Sequence, residues 1–200
     1  MFVKPRSLGS SIGVSRVESR SELEASLELA LVYDSRALVE PAMEGIIEIN
    51  CAVLGNATAA RASVCEQPLA GGVLSYADKY LTKGAGKNAG MKGSQRIIPA
   101  QLPDTLTARI QQVAVDAFHA IDAEGVARVD FLVRPERDEL VVNEINTVPG
   151  SLSFYLWERS GVPFAELVTE LVDLAQRRHA AKRATTYSID SWLLSGVPPA

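Results

Sequence analysis

The chain has 200 residues, 47% of them apolar and 22% charged, and a net charge of −4. Such a composition belongs to an ordinary soluble globular protein of one domain or two small lobes, and the acidic balance excludes nucleic acid or an anionic membrane as the main partner. The only cysteines, Cys51 and Cys65, have no framework or zinc-ligand spacing, and no apolar run reaches the roughly 18 residues of a spanning helix, so a cytoplasmic location is expected.

The chain opens on a short strand at residues 1–4, with Phe2 and Val3 as buried positions. No charged n-region or long apolar h-region precedes it, so the start is not a signal peptide, and the abrupt strand suggests a fragment of a longer protein. A small-residue loop over residues 5–13 leads to a second strand at 14–17. Ser21 and Glu24 form a capping-box pattern ahead of Leu23, Leu27, Ala30 and Leu31, which predicts a helix to about Tyr33. A strand at 36–40 stops at Pro41.

Ile47, Ile49, Cys51 and Val53 alternate with Glu48, Asn50 and Ala52, the period of a strand with one buried face. It ends at Gly55-Asn56, and residues 61–67 are its expected antiparallel partner. Residues 71–98 mix Gly71, Gly72, Gly84, Gly86, Gly90 and Gly93 with Lys79, Lys83, Lys87 and Lys92, which reads as a long, mobile, basic loop. Asp104 is the expected cap of a helix carrying Leu106, Ile110, Val113, Ala114, Ala117 and Ile121, ended by Gly125. Strands at 126–133 and 140–145 follow, joined by a charged turn. Pro163 opens a last helix that finishes at Arg177-Arg178-His179, and residues 184–200 read as a tail.

The densest chemical pattern is Ala127-Arg128-Val129-Asp130-Phe131 followed by Asn143-Glu144-Ile145-Asn146-Thr147. Residues two apart share a strand face, so Arg128 and Asp130 point one way, and so do Glu144 and Asn146. A hairpin centred near Arg137 would set Asp130 opposite Glu144. Two carboxylates at about 4 Å repel by roughly 4 kcal/mol at an effective dielectric near 20. A hard divalent cation removes that cost, and an all-oxygen set of Asp, Glu and Asn suits Mg²⁺ or Mn²⁺ sharing its remaining positions with substrate phosphates.

Taken in order, Val3-Lys4-Pro5, residues 9–14 (GSSIGV), Leu38-Val39-Glu40, residues 52–56 (AVLGN), Asp78-Lys79-Tyr80, residues 128–131 (RVDF) and residues 143–147 (NEINT) resemble the C-terminal two-thirds of a D-alanine–D-alanine ligase. The resemblance runs from Phe2 to about Arg178. Each motif is short; the order and spacing carry the specificity.

The resemblance implies an α+β ATP-grasp fold, with antiparallel sheets flanked by helices and the family's N-terminal Rossmann-like domain missing. Residues 1–45 would be the remainder of the central lobe, and 46–183 the C-terminal catalytic lobe. It also implies site roles. Lys4 would reach the ATP phosphates, under a loop with Ser10 and Ser11 as hydroxyl donors. Glu40, Pro41 and Met43 would form the adenine hinge and Glu48 would hold the ribose. Lys79 and Tyr80 would lie on a closing lid. Arg128 would stabilise a tetrahedral intermediate, while Asp130, Glu144 and Asn146 would hold Mg²⁺. Gly150, Ser151, Ser153 and Tyr155 are all candidates for the second substrate's site, and counting along the chain does not choose among them.

The implied activity is ATP-dependent joining of two D-amino acids through an acylphosphate, serving peptidoglycan synthesis. Its substrates are small molecules, and the full-length enzyme would be a homodimer. Two other readings share these residues: an ATP-grasp ligase for a different acid and amine, and a catalytically silent nucleotide-binding remnant.

Overall fold

The computed structural model describes residues 1–9, 11–69 and 96–186. Within them lie two sheets. Strands β1 (Phe2–Pro5), β2 (Ser15–Arg16) and β3 (Ala37–Glu40) form a three-stranded sheet ordered β2-β1-β3. Strands β4 (Ile47–Gly55), β5 (Ala60–Pro68), β6 (Arg96–Ile97), β7 (Gly125–Arg134) and β8 (Glu139–Asn146) form a five-stranded sheet ordered β6-β5-β4-β7-β8. The helices are α1 (Arg20–Tyr33), α2 (Asp104–Ala120), α3 (Phe154–Arg159) and α4 (Phe164–Ala184). By contact density the chain divides into two compact units. One comprises residues 1–50, 65–107 and 130–144, the other residues 51–64, 108–129 and 145–200.

In the small sheet β1 is central and antiparallel to both neighbours, with Val3 opposite Ser15 on one side and Val39 on the other. Helix α1 lies on this sheet: Val3, Val17 and Ala30 are fully buried together, and Leu23, Leu27 and Ala37 pack around them. The capping residue of α1 is Ser19, not Ser21. Its hydroxyl accepts from the Glu22 N–H (3.3 Å), and Glu22 Oε2 accepts from the Glu18 N–H (2.8 Å). The S-x-x-E spacing was right in kind but lay two residues earlier, where the chain is still extended and the acceptor can face the first turn.

Strand β4 is the middle strand of the larger sheet, and its burial departs from the expected alternation. From Ile49 to Gly55 every residue is buried, on both faces, so Asn50 and Ala52 are buried and only Glu48 of the alternate positions is exposed. A tight connection joins β4 to β5, where Asn56 Oδ1 accepts from the Thr58 and Ala59 N–H groups at 2.9 Å. The Ala52 N–H donates to the buried Ser63 hydroxyl (3.0 Å), a side chain standing in for a backbone acceptor.

Helix α2 buries Leu106, Ile110, Ala114 and Phe118, a strict i, i+4 ladder, while Ile121 lies beyond it and is exposed. Asp104 sits in the first turn rather than at the cap. Gly125 begins β7 and does not end the helix, which stops at Ala120. Helix α4 runs past His179 to Ala184, with Pro163 at its N-cap. It is pinned to β5 by a two-pronged ion pair, Arg61 Nη1 and Nη2 on Glu170 Oε1 and Oε2 at 2.7 and 2.6 Å, with the guanidinium 5.7 Å above the Trp157 ring.

Candidate active site

On β1 and β3 the expected nucleotide residues meet. Phe2 faces Glu40 and Lys4 faces Leu38 in the register, so Lys4 and Glu40 are diagonal neighbours on one face. Lys4 Nζ lies 2.8 Å from Glu40 Oε2. Val3, between Phe2 and Lys4, points the opposite way into the core under α1, so the same strand anchors the sheet with one face and presents the cation with the other.

The loop after β1 is shaped by its own residues. Ser11 (φ 58°) and Gly13 (φ 71°) take left-handed backbone, with the Ile12 N–H donating to the Gly9 carbonyl at 3.3 Å. A Cβ on Gly13 would come within 2.9 Å of Pro5 Cγ and 3.0 Å of Tyr33 Cδ2, so glycine is needed for space as well as for φ. The loop's first turn is tethered by Asp34. Its Oδ2 accepts from the Ser7 N–H (2.8 Å), its Oδ1 accepts from the Arg36 N–H (3.2 Å), and Arg6 lies 3.7 Å away. Hydrogen bonding from Ser7 is the main reason the Asp34 carboxyl titrates below the usual aspartate range.

After β3 the chain runs extended through Pro41 and Met43 to Gly45 (φ 67°) and into β4. Glu48 lies in the exposed first turn-out of β4, before that strand becomes buried on both faces. Glu44 beside the expected hinge is paired with Arg16 (3.1 Å).

From Ala127 onward strand β7 alternates strictly. Ala127, Val129, Phe131 and Val133 are buried, while Arg128, Asp130, Leu132 and Arg134 share the other, partly open face. Arg128 and Asp130 therefore do lie on one face, as their spacing predicts. Glu144 and Asn146 lie two apart on β8, the edge neighbour of β7. Between the strands, the turn Pro135–Arg137 is closed by Asp138 in left-handed conformation (φ 50°), and Arg134 Nε lies 3.0 Å from Glu139 Oε2. Among the described residues no group of three or more His, Cys, Asp or Glu could hold a metal ion unaided. Two carboxylates and one amide have the donor chemistry of a Mg²⁺ ion completed by phosphate oxygens and water, not of an all-protein cage.

The segment after β8 is the largest surprise. Ser151, Leu152 and Ser153 take φ of 51°, 55° and 51° in succession, a left-handed turn built without glycine. Each such residue costs about 1 kcal/mol or more, and strain of this kind gathers at functional sites. Ser153 is fully buried, and its hydroxyl has no hydrogen-bond partner among the described residues. Gly150 and Tyr155 flank this turn at the start of the 3₁₀ turn and in α3. Sequence periodicity could not find it, because neither the turn nor the six-residue helix α3 has a long enough repeat. Ser10, Lys79 and Tyr80 lie outside the described residues.

One polar group was missed altogether. Glu66 of β5 is 3% exposed; it accepts from Asn50 Nδ2 (2.9 Å) and lies 3.5 Å from Arg96. The available signal was that Asn50 and Glu66 stand nearly equidistant from the β4–β5 turn.

This architecture, an α+β arrangement of antiparallel sheets flanked by helices with a small-residue loop after the first strand, is that of the ATP-grasp class. The family described as "D-ala D-ala ligase C-terminus" matches residues 1–173, and the chain belongs to that family. A D-alanine–D-alanine ligase of Solibacter usitatus (strain Ellin6076) is 40% identical over 192 residues, covering 94% of this chain and 56% of the relative. Among solved structures, the D-alanine–D-alanine ligase from Coxiella burnetii superposes with a TM-score of 0.73 at 34% identity, covering 91% of this chain and 46% of that one. The VanG D-Ala:D-Ser ligase from Enterococcus faecalis gives 0.70 at 31% identity, over 86% and 48%. The chain thus spans about half the length of the relatives it matches.

Proposed function

We propose that this chain is the nucleotide-binding and catalytic part of an ATP-dependent ligase that joins two small D-amino acids, D-alanine foremost, in the cytoplasm. The observation that carries the reading is the family match over residues 1–173 together with the polar face of β7 that holds Arg128 and Asp130. In this reading residues 1–45 belong to the central lobe and 46–183 to the catalytic lobe. No described helix is long and apolar enough to cross a membrane.

The first amino acid's carboxylate oxygen attacks the γ-phosphorus of ATP, the bond to the β-phosphate oxygen breaks, and ADP leaves an acylphosphate. The amine of the second amino acid then adds to that acyl carbon, and phosphate departs with the amide formed and the amine proton released. Lys4 supplies positive charge to the phosphates, leaving its ion pair with Glu40, while the loop from Gly9 to Gly13 with Ser10 and Ser11 offers N–H and hydroxyl donors. Glu40, Pro41 and Met43 bracket the adenine and Glu48 accepts from the ribose hydroxyls. Lys79 and Tyr80, outside the described residues, would contribute to the reacting groups' surroundings, and Arg128 meets the oxyanion of the tetrahedral intermediate. Asp130, Glu144 and Asn146 would hold Mg²⁺, which supplies neutralisation of phosphate charge. Gly150, Ser151, Ser153 and Tyr155 frame the second amino acid, with the strained turn as the support for placing a substrate there. A homodimer is the proposed state of the full-length enzyme.

Calorimetric titration with ATP, in Mg²⁺ and again in EDTA, tests this directly. Mg²⁺-dependent binding that Glu144→Ala weakens at least tenfold is expected. Binding indifferent to both Mg²⁺ and Glu144, in a chain shown to be folded, would remove the metal assignment.

A further inference from the structure

The three-stranded sheet turns one face to α1 and gathers cations on the other. Val3 and Pro5 are buried, and Ala37, which pairs with Pro5, packs against the cluster under α1. The alternate residues, Lys4 and Arg6 on the β1 side and Leu38 and Arg36 on the β3 side, therefore point the other way. The ladder runs one step past its last strand pair. There the Arg6 N–H donates to the Arg36 carbonyl (3.1 Å), in register with Lys4 opposite Leu38 and Phe2 opposite Glu40. Arg6 and Arg36 thus stand directly opposite each other on one face, and both are exposed.

Like charges in that position are destabilising, and little nearby offsets them. Asp34 already accepts from the N–H groups of Ser7 (2.8 Å) and Arg36 (3.2 Å) and from the Ser35 hydroxyl (3.4 Å). Arg6 Nη2 stands 3.7 Å from that carboxylate, beyond hydrogen-bond range, and the Arg36 guanidinium makes no ion pair among the described residues. The other cations of this face are engaged, Lys4 with Glu40 (2.8 Å) and Arg16 with Glu18 and Glu44 (3.2 and 3.1 Å). We propose that Arg6 and Arg36 form a clamp for the terminal phosphates of a nucleoside triphosphate. The proposed adenine hinge follows Glu40, opposite Phe2, at one end of the ladder. Lys4 lies two residues along, and the arginine pair two further, about 13 Å from Phe2 at 3.3 Å per residue. A nucleotide with its base at the hinge and its first phosphates at Lys4 is aimed at the pair, and the small-residue loop begins just beyond, at Ser7. Two planar guanidiniums offer forked N–H donors to phosphate oxygens, and a multiply charged group between them replaces repulsion with attraction. A monophosphate is too short to reach them. The identity of the ligand rests on the nucleotide-binding reading above, whereas the clamp needs only phosphate chemistry.

Calorimetric titrations of the 200-residue chain with ATP in Mg²⁺, with AMP and with sodium tripolyphosphate test the clamp. Arg36→Ala and Arg6→Ala should each weaken ATP and tripolyphosphate at least fivefold and leave AMP within twofold. Arg36→Lys should recover part of the loss, since an ammonium keeps the charge without the fork. Arg20→Ala removes a cation from α1, where it pairs with Glu24, and should leave all three ligands within twofold. Arg36 is exposed, so its variants should melt within about 2 °C of the unsubstituted chain. Unchanged ATP and tripolyphosphate affinities in Arg36→Ala overturn the proposal. So does an equal loss for AMP, which would put Arg36 at the nucleoside end or in the fold, or an equal loss from Arg20→Ala, which would make the effect one of net charge. A chain that binds tripolyphosphate through these arginines but no nucleotide keeps the clamp and removes the nucleotide reading. ATP binding indifferent to both arginines does the reverse, and a folded chain that binds neither ligand overturns both.

Discussion

The two sheets are built to different standards. In the five-stranded sheet, Ile49, Cys51, Ala52, Val53, Leu54, Val129, Phe131 and Val133 are each exposed by 1% or less. In the three-stranded sheet Val3 and Pro5 are buried, and β3 leaves both Leu38 and Val39 exposed. Much buried apolar area makes one sheet able to hold itself, while the other leans more on polar tethers such as Asp34. Candidate roles divide along the same line. The proposed site residues Arg128 and Asp130 stand on the well-buried sheet, whereas the proposed Lys4 and Glu40 and the loop after β1 stand on the lightly buried one.

The strongest way to break this comparison is to cut each core once. Phe131→Ala should cost about 3–5 kcal/mol in global unfolding, while Val3→Ala should cost roughly 1–2 kcal/mol and act mainly on the small sheet. Denaturant midpoints read the first difference and hydrogen exchange in β1 and β3 the second. If Val3→Ala lowers the global midpoint as far as Phe131→Ala, the small sheet is no weaker partner.

Gly13 sharpens the comparison within the small sheet. Gly13→Ala meets both a positive φ and close contacts with Pro5 and Tyr33, so a loss of about 1–2 kcal/mol is expected there. In exchange measurements the loss should be confined to the β1–β2 loop and the end of α1. A uniform loss across the five-stranded sheet would show that the two sheets unfold as one.

How much of this could be read from the chain itself follows the same physics. Strands β1, β3, β4, β5, β7 and β8 and helices α1, α2 and α4 were legible, because each has either a clean period or a boundary residue such as Pro41 or Pro163. The facing of Arg128 and Asp130 on β7 was legible for the same reason, period two. The burial of β4 on both faces was not, since strand order is a tertiary fact that Glu48, Asn50 and Ala52 do not announce. Glu66 went unseen because a buried carboxylate is recognisable only with its partners, Asn50 and Arg96. The left-handed turn at Ser151, Leu152 and Ser153 carries residues that ordinarily avoid that conformation, so no propensity argument reaches it. The spacing of the site motifs was readable, whereas the choice among Gly150, Ser151, Ser153 and Tyr155 needs a bound substrate.

Acid separates the two regions more gently. Glu170, held by Arg61 through a two-pronged hydrogen bond, titrates below the ordinary glutamate range, with Arg177 adding a smaller pull. A lowered carboxylate pKa stabilises the fold at every pH above the unfolded value of about 4.3, and that stabilisation fades as pH falls through the folded value. The pair is partly open to water, so its worth is about 0.5–1 kcal/mol. Glu170→Gln should therefore lower the melting temperature slightly at pH 7 and not at all below the folded pKa. An equal loss at both ends would mean that the glutamine disturbs local packing and not the ion pair.

Asp34 gives the smallest effect and the one closest to function. Ser7 hydrogen bonding, then the Arg36 N–H and the charge of Arg6, hold its carboxyl below the aspartate range. The sign is the same as for Glu170: the tether is complete above the unfolded aspartate value of about 3.9 and is released as pH falls through the lower folded value. Its release should be local, because what Asp34 holds is the Ser7 amide at the start of the loop after β1, and Val3 stays buried under α1 without it. The Ser7 and Arg36 amide resonances should therefore shift together with one low midpoint while those of Val3 stay unmoved, and Asp34→Asn should erase the titration. If Val3 moved with Ser7, the tether would be part of the small sheet's core stability, and the loop would have no freedom of its own to close on a nucleotide.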